Sequence, residues 1–416
     1  MERKDNKFLQ ASIILFGLNI MASALNYLCQ LVMARVLSVE SYGTINTIFS
    51  FMMIVAVPGA TLTMVVAKYY AGDNHLCDKR LYLKKQLRVV LGLTAIAAIA
   101  LLCTLKLFSR LLLINDHFVL IMAFFLAAFG YFQPLYSGVF SGNKCFILVG
   151  IYSMFIPLYK LLAVGGAYLY SKEDKIRLCV VLIILILGVI ITALYGHFKS
   201  YNILGKDSVT QVYKERLYTR EDLNALFLNI SLMLYMNIDL LSVRYYGDET
   251  ESGLYSSVLL FGRIIYYFAT TLGTILLPSV ADATMTEKER KKTLKKALIL
   301  MISFAAISMV PINLFKDTFI KFLYGVGYLE ADKYVIYVSI ICLSLSIYTI
   351  MVNYVVGVGK TKNAAIIMLI VDILLLGSVA VLHSVTHILL AIGIIGIIGA
   401  IAIYLGEKMV GNNKKI

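Results

Sequence analysis

The sequence predicts an all-α polytopic membrane protein of about twelve transmembrane helices, in two parallel six-helix lobes around a central cavity. Three observations predict it. Of the 416 residues 60% are hydrophobic and 15% charged, with a mean hydropathy of +0.84. One soluble core cannot hide that much apolar surface, so the remainder faces lipid. The apolar residues also come in long runs, most of about 20 residues, enough to cross a hydrocarbon layer about 30 Å thick. Finally, the first half of the chain repeats in outline in the second. Backbone amides in hydrocarbon must be satisfied within their own segment, which selects helices. Barrel strands would be short and alternating, which these runs are not.

The spans fall at 9–35, 43–67, 89–107, 118–140, 145–170, 178–198, 223–243, 253–279, 297–315, 334–357, 364–382 and 388–406. The first follows Arg3, Lys4 and Lys7 and, at about 27 residues, is too long for the apolar core of a cleaved signal. All five prolines (Pro58, Pro134, Pro157, Pro278, Pro311) lie in or at the ends of spans. Each kinks its helix and frees a backbone carbonyl, which suits helices that bend between states and equally suits fixed packing. Gly393, Gly396 and Gly399 in the last span read as a close helix contact.

The repeat is visible in the turns. Ala34-Arg35-Val36-Leu37-Ser38-Val39-Glu40-Ser41-Tyr42-Gly43 joins spans one and two, and Val243-Arg244 through Ser252-Gly253 joins spans seven and eight. Each has an Arg at the end of a span, an acidic short loop and a Gly opening the next helix. Each following helix carries a proline, Pro58 or Pro278, and precedes a long basic loop. Ser141-Gly142-Asn143-Lys144 likewise matches Gly357 through Lys362. The chain thus reads as an N-terminal lobe, 1–210, and a C-terminal lobe, 211–416, joined by a polar linker near 199–222. Parallel repeats of this kind are a transporter architecture with the substrate site between the halves, although loops under one topological constraint also come to look alike by chance.

The net charge of +14 would point to nucleic acid in a soluble protein. Here most of the lysines and arginines fall on one side of the membrane, which fits both termini in the cytoplasm. Lys79-Arg80, Lys84-Lys85 and Arg88, and Lys288 with Arg290-Lys291-Lys292 and Lys295-Lys296, then anchor the chain on an anionic leaflet. No nucleic-acid partner is expected. The six cysteines (29, 77, 103, 145, 179, 342) are scattered without a CxxC and serve as small apolar residues, with no metal site. Trp is absent, so the 28 tyrosines supply any interfacial belt. Gly359-Lys360-Thr361 ends like a phosphate-binding loop, but Tyr354 stands where glycine is needed and the segment follows a membrane span. ATP hydrolysis is therefore unsupported, leaving ion or substrate gradients. There is no HExxH, GxSxG or paired-carboxylate constellation, and Asp248, Glu249 and Glu251 sit in a loop too short for a membrane-facing glycosyltransferase or polymerase site. The chain does not read as an enzyme. Asn229-Ile230-Ser231 is a glycosylation triplet in letters only, because it lies within a span.

Charges inside spans cost about 2.5–3.5 kcal/mol each at mid-depth and mark pathways or relays by default. Arg263 in span eight and Lys160 in span five lie near mid-depth, and Arg35 ends span one. These three are the expected substrate-binding cations, although Lys160 could snorkel. Cations with few carboxylates favour an anionic cargo; Arg suits phosphate through its planar fork. Asp239, Asp372 and Arg244 are candidates for ion coupling or a gate, an ion pair closing one face being the plainer role for Asp239 with Arg35. The polar lining is expected from Asn19, Asn26, Gln30, Asn46, Gln133, Asn237 and Asn353, with Asn229 and many tyrosines. Amides and phenols suit a hydroxyl-rich sugar, and some also glue helices together.

Several of these stretches resemble one family. Ala34-Arg35-Val36-Leu37…Tyr42-Gly43 looks like the opening signature of Wzx-type oligosaccharide-lipid flippases, as does Asn237-Ile238-Asp239 followed by Gly253-Leu254-Tyr255-Ser256. Leu272-Gly273-Thr274-Ile275-Leu276-Leu277-Pro278-Ser279 resembles the end of the eighth helix in both Wzx and lipid II flippases. Tyr324-Gly325…Tyr328-Leu329-Glu330-Ala331 is similar to the same group. The resemblance covers essentially the whole chain and places it in the multidrug/oligosaccharidyl-lipid/polysaccharide (MOP) exporter superfamily. It implies a bacterial inner-membrane flippase that moves undecaprenyl-diphosphate-linked oligosaccharide by alternating access for surface polysaccharide. It leaves room for H+ or Na+ coupling, for no other cofactor, and for a polysaccharide polymerase as partner. Arg263 matches in position an eighth-helix Arg of the lipid II flippases' cationic cavity, and Arg35 resembles their first-helix Arg. The chain departs from lipid II flippases in having twelve spans and no Arg-Arg and Glu-Gly pattern in the second helix, which puts a dedicated lipid-tail groove in doubt. The alternative within the superfamily is an ion-coupled multidrug/cation antiporter, which would want a carboxylate-rich aromatic cavity.

Overall fold

The computed structural model describes the backbone of residues 2–71, 79–204, 220–281, 284–359 and 361–412, with side chains except those of 2–13, 16, 220–223, 225, 274, 278, 361–363 and 406–412. The basic N-terminus, Cys77, most of the polar linker, the side chain of Pro278, Lys360 and the basic tail therefore lie outside the described residues.

The all-helical membrane fold is as expected. Among the described residues eleven helices are long and apolar enough to cross a membrane, or twelve when one bent pair counts as a span. In chain order they run α1 (Glu2–Val36), α2 (Val39–Val55), α3 (Val57–Ala71), α4 (Lys79–Cys103), α5 (Leu105–Leu112), α6 (His117–Phe129), α7 (Phe132–Gly142), α8 (Phe146–Tyr170) and α9 (Asp174–Ile203). The second half continues with α10 (Arg220–Tyr246), α11 (Glu249–Ala281), α12 (Glu287–Leu314), α13 (Lys316–Leu323), a 3-10 stretch (Val326–Tyr334), α14 (Val335–Gly357), α15 (Thr361–Val381) and α16 (Val385–Asn412).

Four departures from the expected spans have local causes. The second span is bent by 44° between α2 and α3, because Pro58 has no N–H for the ladder at that point. The fourth breaks at Gly130-Tyr131, just before Pro134, into α6 and α7. α4 starts ten residues earlier than its apolar run, its first turns carrying Lys79 through Arg88 out of the hydrocarbon. The loops after the third and ninth spans each contain a short helix, α5 or α13.

Packing groups the chain into two compact units, residues 1–41 with 55–226, and residues 42–54 with 227–416. The second group takes in most of α2 because Gly43 has no side chain: a Cβ there would collide with Ser252 Oγ, the Glu249 carbonyl and the Gly253 amide. In the first unit α1 lies along α8, α3 along α7, and α9 backs α6, α7 and α8. Tyr82, Tyr136, Phe140 and Tyr152 sit in its core, with Phe140 and Tyr152 edge to face at 5.3 Å, a geometry worth about 0.5–1.5 kcal/mol beyond burial. In the second unit α14 packs against α11, α12 and α16. Gly393 of α16 meets Ile340 of α14, and Gly399 meets Val371 of α15, so small residues on α16 do admit its neighbours.

Candidate functional site

In the first unit, polar side chains line the seam between α1 and α8. Asn19 and Asn26 are seven residues apart, as are Ser153 and Lys160, so each pair shares one helix face. Ser153 Oγ donates to Asn19 Oδ1 at 3.2 Å, and Lys160 Nζ donates to Asn26 Oδ1 at 2.9 Å. Between them Cys29 Sγ donates to the carbonyl of Pro157 at 3.2 Å. Gln30, one residue further on, is buried with Oε1 unpartnered among the described residues. Lys160 lies fourteen residues into α8, or about 21 Å along its axis, and is half-buried.

Arg35 is elsewhere. It is exposed in the last turn of α1, about 13 Å along the helix from Asn26, where its charge complements the helix dipole. It therefore does not share a cluster with Lys160. The turn beyond it is tied to the start of α9: Ser38 N and Oγ donate to Asp174 at 2.9 and 2.6 Å, and Arg177 donates to the Val36 carbonyl at 2.7 Å. Nothing in the sequence singled out Asp174 or Arg177.

The second unit gathers the other ionisable residues. Asp239 and Asn237 on α10 face α11. Asp239 is 1% exposed, and its carboxylate accepts from Tyr255 Oη at 2.8 Å and from the Leu240 amide at 2.7 Å. A buried carboxylate needs such donors, each worth about 1.5–3 kcal/mol when one partner is charged. Tyr255, within the Gly253-Leu254-Tyr255-Ser256 stretch, is the partner that spacing alone did not pick out. Arg263 lies fourteen residues into α11 and is half-buried. One long bond, 3.4 Å, joins it to Asn237 Oδ1, and its Nε is unpartnered among the described residues.

Arg244 is fully buried and pairs with Glu249 Oε1 at 2.9 Å and Ser252 Oγ at 3.2 Å. Its carboxylate partner thus comes from the first turn of α11 and is not Asp239. Asp372, midway along α15, accepts from Ser231 of α10 at 2.8 Å. The remaining amides divide between roles. Asn46 and Asn353 donate to carbonyls of their own helices, Asn353 also filling the space left by Gly273, while Gln133 is half-buried on α7. Among the described residues no three His, Cys, Asp or Glu side chains gather as a metal site would require.

No protein-family model and no curated protein matches this sequence. Solved structures match it nearly end to end. The lipid II flippase MurJ in an inward closed conformation is 18% identical with a TM-score of 0.70, covering 95% of this chain and 87% of that one. An inward-facing multidrug resistance MATE family transporter of the MOP superfamily is 14% identical with a TM-score of 0.67, covering 97% and 99%. A MOP superfamily transporter from Pyrococcus furiosus, described as having a binding pocket of reverse polarity, is 14% identical with a TM-score of 0.61, covering 98% and 96%. The fold is that of the MOP-superfamily transporters. At these identities the likeness carries the helix arrangement and leaves the cargo to be argued from side chains.

Proposed function

We propose that the protein is a flippase that moves undecaprenyl-diphosphate-linked oligosaccharide across a bacterial inner membrane, serving surface polysaccharide synthesis by alternating access of lobes 1–210 and 211–416. The reading rests chiefly on Arg263, a half-buried guanidinium within a membrane helix that has one long bond to a neutral amide and a spare Nε donor. Its planar fork has unused donors for a diphosphate. Lys160, held by Asn26, and Arg35, placed at a helix end, are further cations for an anionic lipid. The amides of Asn19, Asn26, Gln30 and Asn237 suit sugar hydroxyls. In this reading both termini are cytoplasmic, and Asp239 or Asp372 couples H+ or Na+ to the cycle.

A multidrug/cation antiporter is the second reading. Two observations favour it: the buried Asp239–Tyr255 pair and the Asp372–Ser231 pair are carboxylates with aromatic or hydroxyl neighbours, as a cationic cargo would want. The two readings separate on Arg263→Ala. A flippase for an anionic lipid loses surface polysaccharide in this variant while the protein stays in the membrane, and Arg263→Lys keeps part of it. Normal polysaccharide in Arg263→Ala, with drug tolerance raised by the wild-type protein, would refute the flippase and favour the antiporter.

A further inference from the structure

The long spans α4 and α12 are counterparts in the repeat, and each runs into an eight-residue helix, α5 or α13, with an exposed apolar face. On α5, Leu107 and Leu111 are 54% and 41% exposed and stand four residues apart on one helix face. Lys106 and Arg110, also exposed, form the stripe beside them. At α13 the exposed apolar residues are Phe315, which precedes its first turn, and Phe319 and Phe322 within it, spaced by four and three, and Phe322 is 76% exposed. The opposite faces are anchored, Leu112 and Ile320 being buried.

These faces continue lipid-facing surface. Exposed Ile96, Ile99 and Leu102 on α4 lead to Leu107, and exposed Ile307, Val310 and Leu314 on α12 lead to Phe315 and Phe322. α5 is capped by Leu113 in the left-handed region at φ 48°, and Gly325, at φ 97°, follows the cap of α13. The chain turns there and returns through the next span, so neither helix is part of a crossing. Eight residues cover about 12 Å, far less than a bilayer. A short helix with one apolar face, one polar face and a hydrocarbon-facing neighbour fits a single place, the boundary between acyl chains and headgroups.

We propose that α5 and α13 lie in the plane of the membrane interface as lipid anchors, one on each unit, and that α5 selects anionic phospholipid. The charge of the two helices makes the distinction. The sequence of α5, Leu105-Lys106-Leu107-Phe108-Ser109-Arg110-Leu111-Leu112, contains two cations and no acid. On α13 Lys316 is taken up by Asp332 at 2.7 Å, and its second cation, Lys321, lines the same hollow as Asp317 and Glu330, so the charges around α13 balance and it meets lipid without regard to headgroup charge. The proposal is independent of what the protein transports.

The absence of tryptophan makes the test direct. Single-tryptophan variants Leu107→Trp, Leu111→Trp, Phe315→Trp and Phe322→Trp replace exposed side chains, and Ile96→Trp, 68% exposed on α4, reports hydrocarbon depth. The proteins are reconstituted in vesicles whose lipids carry bromine near the acyl carbonyl or at mid-chain. The four helix reporters should be quenched about twofold more by the shallow bromine, and Ile96→Trp more by the deep one. In mixed vesicles brominated phosphatidylglycerol should quench Leu107→Trp more than brominated phosphatidylcholine. That preference should vanish with Lys106→Gln and Arg110→Gln and be absent for Phe322→Trp. Reporters on α5 and α13 that acrylamide quenches and neither lipid does, or that follow Ile96→Trp in depth, would overturn the anchors. Equal quenching of Leu107→Trp by the two headgroups would overturn the selectivity.

Discussion

In the first unit α1 and α8 meet across Lys160 and Asn26. In the second, α10 and α15, their counterparts in the sequence repeat, meet across Asp372 and Ser231. The same seam therefore holds a cation in one unit and a carboxylate in the other. The turns that open the two repeats differ as well. Arg35 is exposed and its turn is clamped from outside by Asp174 and Arg177. Arg244 is buried and clamps its own turn through Glu249 and Ser252. Helix paths in both units rest on apolar packing and small residues, which a repeat can keep unchanged. Each polar position needs only one satisfied partner, so its charge is free to diverge.

The sharpest way to break this comparison is to truncate the two arginines. Arg244→Ala empties a fully buried site and should cost about 2–4 kcal/mol, whereas Arg35→Ala should stay within about 0.5 kcal/mol. Thermal unfolding of the purified variants reads both, and equal losses would mean that the turns are built alike. Next come the seams. On the proposed function, Lys160→Gln should weaken the binding of a diphosphate lipid roughly tenfold, about 1.4 kcal/mol, with the dependence of transport on pH or sodium unchanged. Asp372→Asn should do the reverse, and proteoliposome transport at varied substrate, pH and sodium separates them.

Smaller effects are expected at the turns' hydroxyls. Ser38→Ala removes the bond to Asp174 in the first unit, and Tyr246→Phe removes the bond of its hydroxyl to the Val379 carbonyl, 2.6 Å, in the second. Each should lower stability by about 1 kcal/mol. The smallest effect lies at the start of α6. The hydrogen bond from Lys175 holds the Asp116 carboxyl below the usual carboxylate range, helped by the Phe118 amide. A depressed folded value means that this pair stabilises above the ordinary carboxylate pKa and that its contribution fades as pH falls through the folded one. The stability of Asp116→Asn should therefore approach that of wild type in acid, and a gap that widens there would invert the assignment.

Much of this molecule was legible beforehand because burial in lipid leaves a strong mark. A run such as Ile183 to Ile191 has no other use, and prolines at 58 and 134 announced the bend after α2 and the break before α7. The candidate residues were legible as types and less so as partners. Lys160 and Arg263 stood out as charges within apolar spans, yet nothing local showed that Asn26 and Asn237 would hold them. Tyr255 stayed hidden because one tyrosine among 28 carries no signal until a carboxylate faces it. Arg35 and Arg244 occupy matching motifs, and the motif gave no warning that one would be exposed and the other buried. α5 and α13 were concealed for a different reason. Eight residues are too few for periodicity to be distinguished from a loop.

What the amino-acid sequence determined by itself was the helical class, the number of crossings and the presence of ionisable groups within them. Each follows from the cost of placing backbone amides and charges in hydrocarbon, a cost counted residue by residue along one segment. Which side chain answers which, and therefore which seam carries the cation and which the carboxylate, was decided only when helices more than a hundred residues apart were packed together. Lys160 finds Asn26 and Asp372 finds Ser231 across such separations, and a hydrogen bond depends on distance and angle, which no spacing along the chain can specify.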